Sequence, residues 1–223
     1  MASLSIRALL ASYLALALFC SVSAHAGILQ VGFAELPITP SVIDEWVDVN
    51  DDAQFDPDID TWTDTNGNGV FDPVWIAGFQ KGRAAQGIKD DLMAVAVVID
   101  DGDQRIAVVA VDTIGLMRKF VLDVRQSTNK EWGLDHLMIH ATHNHEGPDT
   151  QGLWGPGLFE SGVDHDYMRE LKGSILSAIE KAIVNLEPAE MSIARIATDP
   201  RTPIKDKRKP IVIDGDIRAV LFR

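Results

Sequence analysis

Apolar residues recur along this chain in two rhythms. Residues 92–99 and 106–111 are almost unbroken apolar runs, the pattern of strands buried on both faces. Asp100-Asp101-Gly102-Asp103 between them is a hairpin-type turn. Residues 28–34 predict an earlier strand, stopped by Pro37 and Pro40. Residues 136–141, 191–196 and 217–222 predict later ones. The second rhythm is helical. Met117, Phe120, Val121 and Val124 have that spacing within 116–130. The clearest helix covers 166–186, where Leu171, Ile175, Ala178, Ile179, Ala182 and Ile183 form one apolar face. Asp164 or Asp166 is placed to cap it, and Pro188 to end it. Strands interleaved with two helices predict an α/β architecture, a mixed sheet flanked by helices.

Composition adds compartment and charge. Arg7, the apolar stretch 8–22 and Ala24-His25-Ala26 have the three parts of a signal peptide, so residues 1–26 are expected to be removed. The apolar stretch is too short for a stable membrane span. Cys20, the one cysteine, leaves with the leader, and the mature protein is expected to be secreted or periplasmic without disulfides. The 223 residues suffice for one domain with a sizeable core. A formal charge of −13 disfavours nucleic acid and anionic lipid as partners. By contrast, Arg201 to Lys209 is a basic stretch.

Between Ile43 and Pro73 every charged residue is Asp or Glu. Within this insertion, spanning 44–76, two segments repeat. Asp48, Asn50, Asp52 and Asp56 match Asp64, Asn66, Asn68 and Asp72. Both sets occupy positions 1, 3, 5 and 9 of a loop whose sixth residue is small, Ala53 or Gly69. That is the front of an EF-hand-like calcium loop, because a hard cation needs several oxygens converging on one point. Ile59 and Trp75 stand where the bidentate Glu of position 12 belongs. The insertion therefore reads as calcium-loop-like, and solvated Asx-turns are the plainer alternative.

The densest chemistry lies at 139–149, Ile-His-Ala-Thr-His-Asn-His-Glu-Gly-Pro-Asp. His143 and His145 sit two apart after an apolar run, so an extended segment would present both rings on one face. Neutral imidazoles side by side suit zinc, although a polar strand end making only hydrogen bonds has the same spacing. Residues 147–162 form a Gly-rich loop carrying Trp154, Leu158 and Phe159, either an acyl-binding rim or side chains that pin the loop to the sheet.

Ala141-Thr142-His143-Asn144-His145-Glu146-Gly147-Pro148 resembles the Ala-Thr-His-Thr-His-Ser-Gly-Pro signature of the neutral/alkaline non-lysosomal ceramidases. Val31-Gly32-Phe33-Ala34 with Pro37-Ile38-Thr39-Pro40 is similar to that family's opening strand and turn. Gly87-Ile88-Lys89-Asp90-Asp91-Leu92 and Val109-Ala110-Val111-Asp112 follow in the family's order. Asn144, Glu146 and Asp149 depart from it. The resemblance implies a zinc-dependent amidohydrolase acting on ceramide or a related N-acyl lipid. It implies that His143 is a zinc ligand, that His145 stands beside the metal as a catalytic residue, and that Arg201 lies near the oxyanion. The family takes its further zinc ligands, a His, a Glu and a Tyr, from beyond the region matched here. Residues 27–223 are thus expected to be the N-terminal part of such a domain, needing the remaining C-terminal part for activity. His136, His140, Asp112, Glu146 and Asp149 are the in-chain candidates for extra ligands, with His140 expected on the opposite strand face. A non-enzymatic, calcium-stabilised extracellular module is the competing reading.

Overall fold

The computed structural model describes residues 27–197, 206 and 208–223; the expected leader (1–26) and Arg201 lie outside the described residues. Five strands form the main sheet: β1 (Gln30–Pro37), β4 (Met93–Asp100), β5 (Arg105–Val111), β6 (His136–Ala141) and the two-residue β7 (Glu187–Pro188). Their order is β6-β5-β4-β1-β7. β4 runs antiparallel to both β1 and β5, and β6 runs parallel to β5, so the sheet is mixed as expected. Pro37 does not precede the end of β1 but forms it, opposite Met93. The turn between β4 and β5 closes where expected, with Asp101 N–H donating to Gln104 O.

Two helices pack on this sheet. α1 (Arg118–Gln126) is shorter than the 116–130 pattern, because the chain breaks into a 3-10 turn at Lys130–Trp132. α2 (His165–Val184) is capped by Asp164 and not by Asp166. The Asp164 carboxylate accepts from the N–H groups of Asp166 and Tyr167. Leu171, Ile175, Ala178, Ile179 and Ala182 of α2 are buried, as the periodicity requires, and Ile183 packs beside them. They meet Ala34, Ala94, Ala96, Val98, Ala107 and Val109, with Val124 of α1 in the same core. Each fully buried aliphatic side chain there contributes roughly 1.5–3 kcal/mol. Gly32 sets the spacing, since a Cβ on it would lie 1.8 Å from Ala182 O.

The expectation that β4 and β5 are buried on both faces is corrected. Alternate residues are buried and their neighbours only half-buried. On that second face the register aligns Phe33, Val97, Val108 and Met138, and Phe33 and Met138 are 53% and 52% exposed. The apolar runs arose because both faces are apolar, while the described helices cover one. The last two expected strands also sit elsewhere. β8 (Met191–Ala197) and β9 (Asp216–Phe222) pair with each other in a separate hairpin.

The acidic insertion has an order of its own, built on the repeat. β2 (Glu45–Val47) pairs antiparallel with β3 (Thr61–Thr63), with Trp46 opposite Trp62. Buried Asp60 accepts from Val49 N and Asp56 N, the second and ninth positions of the first loop. Buried Asp44 accepts from Thr65 N and Asp72 N, the same positions of the second loop. Each clamp thus lies just ahead of one loop in sequence and holds the other. Phe55 and Phe71, also equivalent in the repeat, stack at 4.0 Å. These pairings describe an approximate two-fold axis through the insertion.

Candidate functional site

The histidines lie just past the end of β6. The segment is not extended as the spacing suggested: His143 has φ 65°, a left-handed conformation that strains a residue with a Cβ. Three contacts hold it. His143 N and Asn144 N both donate to Thr113 O, and the His143 ring Nδ1 lies 2.8 Å from Ile114 O. The turn still brings the rings together, with the two Nε2 atoms 3.3 Å apart and the ring planes at 74°.

This geometry sets the tautomers. A carbonyl oxygen only accepts, so Nδ1 of His143 must carry its proton. A neutral ring then has a free lone pair on Nε2. His145 Nε2 faces that lone pair and therefore donates to it. One ring is a ready metal ligand through Nε2, with its other nitrogen oriented by a carbonyl, the usual support of a ligating histidine. The other ring presents an Nε2–H donor.

The wall beside His145 comes from the end of the insertion. Gly78 has φ 115°, and a Cβ there would lie 2.4 Å from Cγ of His145. Phe79 packs edge-on against the His145 ring at 5.0 Å. Arg83 reaches the same place, its guanidinium 5.1 Å from the Phe79 centroid. It donates to His145 O at 3.2 Å and to the Glu146 carboxylate at 2.9 Å. Strand-like contacts seal the junction: Ile76 bridges Pro148, Ala77 N donates to Gly147 O, and Asp149 N donates to Trp75 O.

The other in-chain candidates are engaged elsewhere. Asp112 accepts from Thr142 Oγ1 and Met93 N. Asp149 is buried and accepts from four backbone N–H groups, those of Gln151, Gly152, Trp154 and Gly162. It is the organiser of the loop 150–162. Glu146 pairs with Arg83. His136 and His140 are exposed on β6. Among the described residues, no group of three or more His, Cys, Asp or Glu is arranged to hold a metal ion. The two readings of the Gly-rich loop divide. Trp154 packs down, donating its Nε1–H to Phe79 O. Leu158 and Phe159 stay 77% and 100% exposed, although Lys81 ties the carbonyls of Gly157 and Leu158.

In the insertion, the second loop gathers its oxygen side chains. Asp64 accepts from the N–H groups of Gly67, Asn68 and Gly69. The amides of Asn66 and Asn68 both reach Asp72 Oδ2, at 2.8 and 2.7 Å. The first loop repeats part of this. Asp48 accepts from Asp52 N and Ala53 N, and Asn50 reaches Asp52. Asp56 instead receives Asp58 N. Asp51 and Ala53 adopt the left-handed conformation of their counterparts Gly67 and Gly69.

Gly78, Phe79 and Arg83 were not legible as site residues. They follow the insertion as Gly-Phe-Gln-Lys-Gly-Arg, with no pattern that ties them to a motif 62 residues away.

No family model matches the sequence, and no curated relative does. Solved structures do match. One is the neutral ceramidase from Pseudomonas aeruginosa, at TM-score 0.54 and 18% identity, over 76% of this chain and 24% of that one. Another is a ceramidase complexed with C2, at TM-score 0.58 and 18% identity, over 87% and 28%. The chain spans about a quarter of the length of these proteins. It is ceramidase-like in fold. Among the described residues no helix is long and apolar enough to cross a membrane.

Proposed function

We propose that this chain is part of a secreted or periplasmic zinc amidohydrolase that cleaves the amide bond of ceramide or a related N-acyl lipid. The observation that carries the reading is the His143 ring, held by Ile114 O with Nε2 turned towards His145. Bound zinc supplies Lewis-acid chemistry, polarising the amide carbonyl and making water nucleophilic at neutral pH. His143 would hold the metal through Nε2. His145 would donate its Nε2–H to the substrate oxygen as negative charge develops. Arg201, by the family resemblance, would add a cation to the same oxygen. The exposed Leu158 and Phe159 on the loop that follows the pair suit an acyl chain.

A catalytic zinc takes three protein ligands, and this pair supplies one or at most two. On this reading the others come from outside the described residues, and residues 27–223 by themselves are expected to be inactive. Equilibrium dialysis against zinc tests the assignment. About one weakly held zinc per wild-type chain is expected, and none in His143→Ala; equal zinc in both would overturn it.

Calcium is the second ion. The donor set has the oxygen chemistry a hard cation takes: in 64–72 the side chains of Asp64, Asn66, Asn68 and Asp72 gather in one loop, joined by Asn–Asp and Asx-turn hydrogen bonds that an ion would replace. Asp48, Asn50, Asp52 and Asp56 would form the equivalent site. With position 12 unfilled, affinities on the order of 10⁻⁴ M are expected. The competing reading is a calcium-stabilised module without catalysis. That reading predicts calcium binding and no zinc.

A further inference from the structure

One guanidinium reaches both the backbone of the second histidine and the aromatic ring packed against it. Arg83 donates to the main-chain oxygen of His145 and to the carboxylate of Glu146, and it stacks on Phe79. Phe79 in turn meets the edge of the His145 ring. We infer that Arg83 is the positioning residue of the histidine pair, holding the His145 backbone directly and its ring through Phe79. The contacts stand whatever the pair binds; their consequence for zinc rests on the proposed metal reading.

Three observations lead there. The turn carrying the histidines is strained at His143, and such a conformation persists only where its surroundings over-determine it. Upstream of His145 the turn is held by Thr113 O and Ile114 O. Downstream, Arg83 and the pairing of Ala77 with Gly147 hold it, and Arg83 contacts both His145 and the phenyl ring against it. Second, the task suits arginine. A planar fork serves two acceptors at once and presents a flat face to an aromatic ring, which an ammonium group does not. Third, the Arg83 side chain is only 13% exposed while Glu146 is 65% exposed. A pair open to water on the acid's side adds little stability. The buried end of the contact, against His145 and Phe79, is what places the guanidinium. Arg83 is also committed, its N–H groups taken by His145 O and the Glu146 carboxylate and its face by Phe79, so it is not free to meet a substrate oxygen.

The test is imidazole NMR on the zinc-free full chain, followed by zinc titration. In wild type, the Phe79 ring should set the His145 ring protons apart from those of exposed His136 and His140. In Arg83→Met the His145 signal should collapse onto the exposed pair, while zinc affinity should stay close to wild type, because the proposed ligand is His143 and not His145. Arg83→Lys should behave like Arg83→Met, because charge without the fork is insufficient. Glu146→Gln should leave the His145 signal in place. Should Arg83→Met fail to fold, Phe79→Leu at an exposed position carries the ring half of the test, and Arg83→Lys the backbone half. An unmoved His145 signal in folded Arg83→Met, or an equal shift in Glu146→Gln, would overturn the assignment. If wild type binds no zinc, the metal reading fails while the NMR comparison still decides the role of Arg83.

Discussion

The helix-backed sheet and the acidic insertion hold their shapes by opposite means. In the first, α2 presses Leu171, Ile175 and Ile179 onto Ala94, Ala96, Val98 and Val109. Nothing polar is needed at that contact, and order comes from close packing of apolar groups. In the second, order comes from carboxylates. Asp44 and Asp60 are buried and each receives two backbone N–H groups from the loop it does not precede. A short aromatic ladder, Trp46–Phe55–Phe71–Trp75, links them to the histidine wall. The two regions should therefore fail differently. A lost methylene breaks the first, whereas a lost acceptor or a lost counter-charge breaks the second.

The largest effect should come from the packed side. Ile175→Ala, at a fully buried site, is expected to cost about 2–5 kcal/mol in urea unfolding. Calcium should not restore it beyond what it adds to wild type. An unchanged urea midpoint would mean that α2 is not seated as described.

Next is the ion. Millimolar calcium should raise the melting temperature relative to chelator, with about 2.7 kcal/mol gained at a hundredfold excess over Kd. The gain reflects relief of carboxylate repulsion around 48–72. An Asp48→Ala/Asp64→Ala double variant should show no gain. Equal shifts in both proteins would remove calcium from the loops.

The crossed clamps give a sharper test at smaller cost. Asp44→Ala leaves the N–H groups of Thr65 and Asp72 without their acceptor, and about 1–3 kcal/mol should be lost. Hydrogen exchange should speed up in 64–72, not in the adjacent 48–56, and α2 should stay protected. Faster exchange confined to 48–56 would refute the crossing.

The smallest effect concerns Tyr167, whose buried hydroxyl has no partner among the described residues. Tyr167→Phe should change stability by less than about 1 kcal/mol at neutral pH. Burial pushes this phenol above its usual 10.0. A raised folded-state value means its contribution is intact below pH 10 and is lost as the pH climbs beyond. Wild type should therefore lose stability in strong alkali more steeply than Tyr167→Phe. Parallel alkaline curves would contradict that.

Much of the packed region was legible because periodicity records burial. The face of α2 and the pairing of β4 with β5 follow from it. It also misled, since residues 93–99 are apolar on both sides and nothing in a strand's composition tells which face a helix meets. The insertion had no periodicity to read. Its repeat exposed the two loops, but the crossing of Asp44 and Asp60 depends on a two-fold pairing that one copy alone does not imply. The site divides likewise. His143 and His145 stood out as a motif, while Arg83 and Phe79 reach them only through a turn at the insertion's end. That turn's Gly78 matters for what it lacks, and an absent Cβ leaves no signal in a pattern of side chains.

The division of labour between the two imidazoles is the central claim, and zinc content measured side by side in His143→Ala and His145→Ala tests it most directly. Nδ1 of His143 on Ile114 O leaves its Nε2 lone pair for the proposed metal, and His145 faces it as a donor. His143→Ala should therefore lose its zinc, and His145→Ala should retain most of it. Equal loss in the two variants would make His145 a ligand and contradict the assignment.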